Sequence, residues 1–206
     1  MKHVVIVANG EIPKPPQHWN RIKRAHPLIC TDGAANWLIE RNITPDVIIG
    51  DMDSLEDNIR GGLDQDTIHH VPTQENTDLE KALDYALDHG YTAATVLAAT
   101  GKREDQTLGN LYLLIKYAPD IHIQLLTNYS SIEPVTDSLT TRVDPGQTIS
   151  LLPAGFAEGI TTRGLKYPLN DETLELGTRG VSNQAEESEI TVTVKRGALL
   201  LFRNFR

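Results

Sequence analysis

At 206 residues, 39% of them hydrophobic, and with a formal charge of −9, the chain is long enough to bury one sizeable core or two modest ones. The acidic balance excludes a general binder of nucleic-acid backbones, which needs a basic face, while Lys102, Arg103 and backbone N–H groups still allow a small anionic ligand. A single cysteine excludes intrachain disulfides and Cys-based zinc clusters, and short apolar runs with no charged-then-apolar leader point to a cytoplasmic protein with no membrane partner.

In chain order, HVVIVA from His3 reads as a first core strand and PLIC, ending at Cys30, as a second. Cys30 is expected to be a small core residue rather than a nucleophile. Asp32 follows at once in CTDGAANWL, and the third strand, DVIIG, runs into GDMDSL with Asp51 and Asp53. TIHHV, AATVLAA and IHIQLLT supply three more strands. Between them, ENTDLEKALDYALDHG places Leu79, Leu83, Ala86 and Leu87 on one helical face, with Thr77 and Glu80 as a capping box and Gly90 as the stop. QTLGNLYLLIKYAP repeats the pattern with Leu108, Leu111, Leu114 and Ile115 on a face and Pro119 after its end.

From about Tyr129 the helical period disappears. TISLLPA, GITTRGLKY, TLELGTRGVS, EITVTVK and ALLLFRN alternate with the turn signals DPGQ, AEG, LNDET and KRG. The expectation is α/β followed by all-β: a mostly parallel α/β sheet domain over 1–128 and a C-terminal antiparallel β-sandwich over 129–206.

The chemistry concentrates at strand ends. Asp51 and Asp53, two apart, are expected to point to the same side, where hard carboxylate oxygens suit Mg²⁺ bridged to phosphates; the plain alternative is a loop of solvated acids. Asp32, Asp78 and Asp105 also lie beyond apolar runs, and the strand ends of an open α/β sheet converge on one crevice. Carboxylates gathered there require a divalent ion and a cationic side chain to offset their repulsion. His69 and His70, near Asp64 and Asp66, suggest a metal-dependent phosphoesterase, but neighbours on a strand face opposite ways. GKR at 101–103 is no Walker A loop, and the first strand ends in no aspartyl-phosphatase DxD.

DGAAN at 32–36, PDVIIGDMDSL at 45–55, QENTDLEKAL at 74–83, GKREDQTLGN at 101–110, and GLKYPL with GVSNQ at 164–184 together resemble the thiamin pyrophosphokinase family over nearly the whole chain. The resemblance implies transfer of a diphosphate from ATP to the thiamin hydroxyl, giving thiamin diphosphate and AMP, by a homodimer. It implies that Asp51, Asp53 and Asp78 hold Mg²⁺, that Arg103 contacts the ATP phosphates and that Asp105 orients the acceptor hydroxyl. Asp32, Gly33, Thr77, Thr100, Gly101 and Lys102 are then expected along the nucleotide cleft. Gln74, Asp105, Ser182, Asn183 and Phe202 are expected around thiamin, with Phe202 stacking on it. The plain readings are a strand-core residue for Phe202 and a turn for Ser182 and Asn183. Gln106 stands where the family often has histidine, which leaves that position's role open. The alternatives are another Mg²⁺-dependent phosphotransferase or phosphohydrolase, or a non-enzymatic sensor of thiamin diphosphate or nucleotide.

Overall fold

Runs of Val, Ile and Leu with no alternation demand burial on both faces, and β-strands built on such runs form the centre of a six-stranded parallel sheet whose edge strand, Ile68–His70, is largely exposed. The computed structural model describes residues 1–205, which divide into two compact units: Met1–Leu113 with Asp120–Asn128, and Leu114–Pro119 with the residues from Tyr129 onward. The first unit contains β1 (His3–Val7), α1 (Pro16–Lys23), β2 (Leu28–Thr31), α2 (Asp32–Ile39), β3 (Val47–Gly50) and α3 (Asp57–Arg60). A short 3₁₀ turn then precedes β4 (Ile68–His70), α4 (Asp78–Asp88), β5 (Ala93–Leu97), α5 (Glu104–Tyr117) and β6 (His122–Leu126). The strand order is β4-β3-β2-β1-β5-β6, every pair parallel. Order reverses between β1 and β5, so the crevice beyond their carboxyl ends is where such a sheet builds a ligand site. Val7, Cys30, Ile48 and Leu97 lie in the core on one face, packed with Ala34, Ala35 and Leu38 of α2.

Helix α4 starts as its sequence dictates: the Thr77 hydroxyl accepts from the Glu80 N–H at 3.4 Å, and Leu79, Leu83 and Ala86 are buried. Gly90 beyond its end adopts φ +72°. Helix α5 departs from the expected face. Leu108 is 50% exposed, and Asn110, Leu113, Leu114 and Tyr117 are the buried set. Those positions also follow a helical spacing, so the apolar pattern alone admitted two faces.

The second unit is antiparallel throughout: β7 (Ser130–Val135), β8 (Ser138–Arg142), β9 (Thr148–Arg163), β10 (Glu172–Glu175), β11 (Asn183–Gln184), β12 (Glu189–Thr193) and β13 (Arg196–Asn204). Two expected strands, TISLLPA and GITTRGLKY, are in fact the single 16-residue β9, which stops at Arg163. Gly155 and Gly159, at φ +92° and +66°, bend this strand instead of ending it. Its first part pairs with β13 and its last residues with β12, which joins it to β8. One long strand thus serves both layers of a sandwich-like arrangement around Val135, Ile149, Leu151, Ile160, Ile190, Val192 and Leu199. TLELGTRGVS forms only β10 before the chain turns. Among the described residues, no helix is long and apolar enough to cross a membrane.

Candidate functional site

Two parallel strands, β2 and β3, and the start of α4 bring their acids within reach of one another. β2 runs directly into α2, so Asp32 is the first residue of the helix, only 2% exposed, and accepts from the N–H groups of Gly33 (2.6 Å) and Ser54 (3.3 Å). β3 ends at Gly50, followed by Asp51. Asp78 opens α4. Carboxylate oxygens of Asp32, Asp51 and Asp78 all lie within 4.8 Å of one another.

The glycines around them are there for room. A Cβ on Gly50 would stand 2.8 Å from the Asp32 carboxyl carbon, and one on Gly33 would stand 2.1 Å from Asn9 Nδ2. Gly33, expected along the nucleotide cleft, makes space for the Asn9 side chain.

Asp53 is outside this cluster. Met52, buried, takes φ +66°, which breaks the extended geometry on which the same-side expectation for Asp51 and Asp53 rested. Asp53 is exposed, and its backbone N–H donates back to Asp51 Oδ1 at 3.2 Å in an Asx turn. Of the five carboxylates expected to converge, three do so: Asp105 is instead held by Arg103 through bonds of 3.1 and 2.5 Å, both side chains exposed.

The environments separate the acids. Burial pushes the Asp32 carboxyl up, and the charges of Asp78 and then Asp51 add to that against the two backbone N–H bonds. Asp51 is held down, first by the Gln74 side-chain amide donating at 2.7 Å, then by the Asp53 N–H. Asp105 is held down by the Arg103 hydrogen bonds and then by the Gln106 N–H, and the same pairing raises Arg103. Burial raises the Cys30 thiol well above its ordinary value, which suits an inert core residue.

A cleft of about 400 Å³ opens beside the cluster, lined among others by Asn9, Gly10, Ser54, Thr77, Asp78 and Thr100. Lys102, Arg103, Gln106 and Asn110 close its other side. This is within the size range of small-molecule sites. Lys102 donates to Asn9 Oδ1 at 3.0 Å, and the buried Asn110 amide donates to Ala99 O at 2.8 Å, tying α5 to the end of β5. Gly101, at φ +90°, turns the loop between them. His69 and His70 are exposed, and the His69 ring packs edge-on against Tyr85.

The remaining expected residues lie in the second unit. Ser182 takes φ +62° and its N–H donates to Ser150 Oγ at 3.0 Å. Asn183 is committed locally: its side chain accepts from the Tyr167 N–H (3.1 Å) and donates to the Tyr167 carbonyl (2.7 Å). Phe202 is half-buried on β13.

Two contributors escaped the sequence reading. Lys81, with a side chain only 4% exposed, donates to Asp78 Oδ1 at 2.9 Å; its sequence signals are an i,i+3 acid–lysine pair on a helix and its place inside QENTDLEKAL. Asn36, inside DGAAN, donates to Ser54 O (2.7 Å) and accepts from the Glu56 N–H (3.1 Å), so α2 holds the loop after β3 at two points.

Comparison with known proteins agrees over both units. A model of the thiamin pyrophosphokinase catalytic domain matches residues 18–125, and one of the thiamin pyrophosphokinase vitamin B1 binding domain matches 136–199. The thiamine pyrophosphokinase of Bacillus subtilis is 30% identical over 99% of each chain. Thiamine pyrophosphokinase 1 of Oryza sativa subsp. japonica is 27% identical over 93% of this chain and 83% of its own. A crystal structure of the Bacillus subtilis protein superposes with a TM-score of 0.85 at 28% identity, covering 98% of this chain and 99% of the other. Yeast thiamin pyrophosphokinase shares the fold with a TM-score of 0.81 at 22% identity, covering 99% and 86%.

Proposed function

Because the chain belongs to the thiamin pyrophosphokinase family, we propose that it transfers the terminal diphosphate of ATP to the hydroxyethyl oxygen of thiamin, giving thiamin diphosphate and AMP. The observation that carries this reading is the Asp32, Asp51 and Asp78 cluster beside a cleft rimmed by Lys102 and Arg103. Three converging carboxylates with oxygen donors only are a fitting set for a hard divalent cation. Asp51 and Asp78, with Asp32 beside them, would hold Mg²⁺, and the family motif adds Asp53, directly or through water. When bound, the ion neutralises the charge of the transferring phosphates.

The residues of the chain do the positioning. Burial and the neighbouring Asp78 push the Asp32 carboxyl up, so a cation beside it favours its charged form. Lys102 and Thr100 line the path of the triphosphate, with Thr77 at the start of α4. Arg103 exchanges Asp105 for the phosphates as they enter, an exchange that costs little because the pair is exposed. Asp105, released, orients the thiamin hydroxyl; an alkoxide is far more basic than a carboxylate, so proton transfer comes late and positioning is the larger part. Gln74, fixed by its bond to Asp51, is assigned to thiamin, with Ser182 and Phe202. Asn183 acts through the Tyr167 backbone that it holds.

Purified protein supplied with ATP, Mg²⁺ and thiamin is expected to form AMP and thiamin diphosphate together and to stop when any component is omitted. Formation of ADP would assign an ordinary phosphotransferase, and tight binding without turnover would assign a sensor.

Two expectations concern the second unit. Phe202→Ala raises KM for thiamin about 2- to 10-fold, the range for loss of aromatic stacking worth ~0.5–1.5 kcal/mol, and leaves ATP affinity unchanged. An unfolded variant would identify Phe202 as core, and unchanged thiamin binding by a folded variant would remove it from the site. The exposed Phe156, Tyr167, Leu176 and Val181 supply apolar surface for a two-fold homodimer. Sedimentation at micromolar protein is expected to show a dimer, and a fully active monomer would contradict it.

A further inference from the structure

A lysine with a buried side chain is a costly choice on an amphipathic helix, because its charge must leave water. Lys81 sits on α4 between the buried Leu79, Ala82 and Leu83, at a position where an apolar residue would extend the core. Its ammonium is 2.9 Å from Asp78 Oδ1, and its side chain is 4% exposed while that of Asp78 is 30% exposed. A second acid is near: carboxylate oxygens of Asp51 and Asp78 lie within 4.8 Å of one another, so the ammonium that binds Asp78 stands at the edge of the whole cluster. An exposed i,i+3 pair adds little to a helix, so stability alone gives weak cause for burying this one.

We propose that Lys81 is a positioning residue, a resident counter-ion of the carboxylate cluster. It holds Asp78 in place and lowers the affinity of the cluster for a free divalent cation, so that tight binding waits for the phosphates of the nucleotide. The inference rests on the cation-dependent reading of this site. The physical reason is direct. A fixed positive charge a few ångströms from where the cation binds repels it, and in a partly buried site that repulsion is poorly screened. Phosphates bring both oxygen ligands and negative charge, which outweigh one ammonium.

Mn²⁺ is the probe, with free ion measured by electron paramagnetic resonance on the full chain, alone and with α,β-methylene-ATP. Without nucleotide, Lys81→Met, which keeps the length of the side chain and removes its charge, is expected to bind Mn²⁺ roughly tenfold tighter than the parent, while Lys81→Arg stays as weak as the parent. A variant that unfolds in chelator and recovers with Mn²⁺ supports the same conclusion, and Lys81→Gln carries the measurement if Lys81→Met does not fold at all. A lysine with only a structural role predicts unchanged or weaker Mn²⁺ binding in the variant, and that result overturns the proposal. Failure of the parent to bind Mn²⁺ even with the analogue would instead remove the cation-dependent reading beneath it.

Discussion

Asp51→Asn is expected to lower kcat by ~10²-fold or more, the scale seen when transition-state charge stabilisation loses one preorganised partner. Asp51 has the strongest case among the acids. Its carboxylate is held down by the Gln74 amide and then the Asp53 N–H, and it stands within 4.8 Å of both Asp32 and Asp78. Asparagine keeps the shape and one acceptor oxygen but loses the charge. Asp53→Asn is expected to cost less, because Asp53 is exposed and outside the cluster. Steady-state kinetics on the two variants at saturating ATP separates them. Equal losses would return Asp53 to the cation, and loss of less than about threefold in Asp51→Asn would remove the cluster from the chemistry.

Arg103→Ala is the second large effect, expected at ~10²–10³-fold in kcat with little change in KM for thiamin. The guanidinium is exposed and, among the described residues, its ion pair is with Asp105, so it contributes little to the fold and is available to the phosphates. Its charge matters most as negative charge redistributes during transfer, which is why the loss belongs in kcat. The variant also frees Asp105, whose carboxyl then loses the partner that holds it down. Single-turnover measurements distinguish a slowed transfer step from weakened ATP binding. A pure rise in KM for ATP would make Arg103 a binding residue and nothing more.

What could be read from the sequence follows physical lines. The central parallel strands were legible because unbroken runs such as VVIV and VIIG have no alternative but burial, and α4 was legible because Thr77, Glu80 and Gly90 punctuate it. β9 was not, since Gly155 and Gly159 read as turns in a sequence and only the positions of β10, β12 and β13 show that they bend a continuous strand. β7 and β8, rich in Ser, Thr and Arg and interrupted by Pro134, lack the apolar runs that mark the others. At the site, the acids were legible as strand-end residues, but which of them meet was not. One positive φ at Met52 separates Asp53 from Asp51, and the direct passage from β2 into α2 brings Asp32 in. Lys81 was invisible because a lysine on a helix reads as solvated until the packing around it is known.

The central claim, diphosphate transfer in one step to thiamin, is tested most directly with ATP labelled with ³²P at the β position. The label is predicted to appear in thiamin diphosphate in a one-to-one ratio with unlabelled AMP, with no ADP at any time. Label retained in ADP, or released as inorganic phosphate or diphosphate while thiamin remains unmodified, would contradict it.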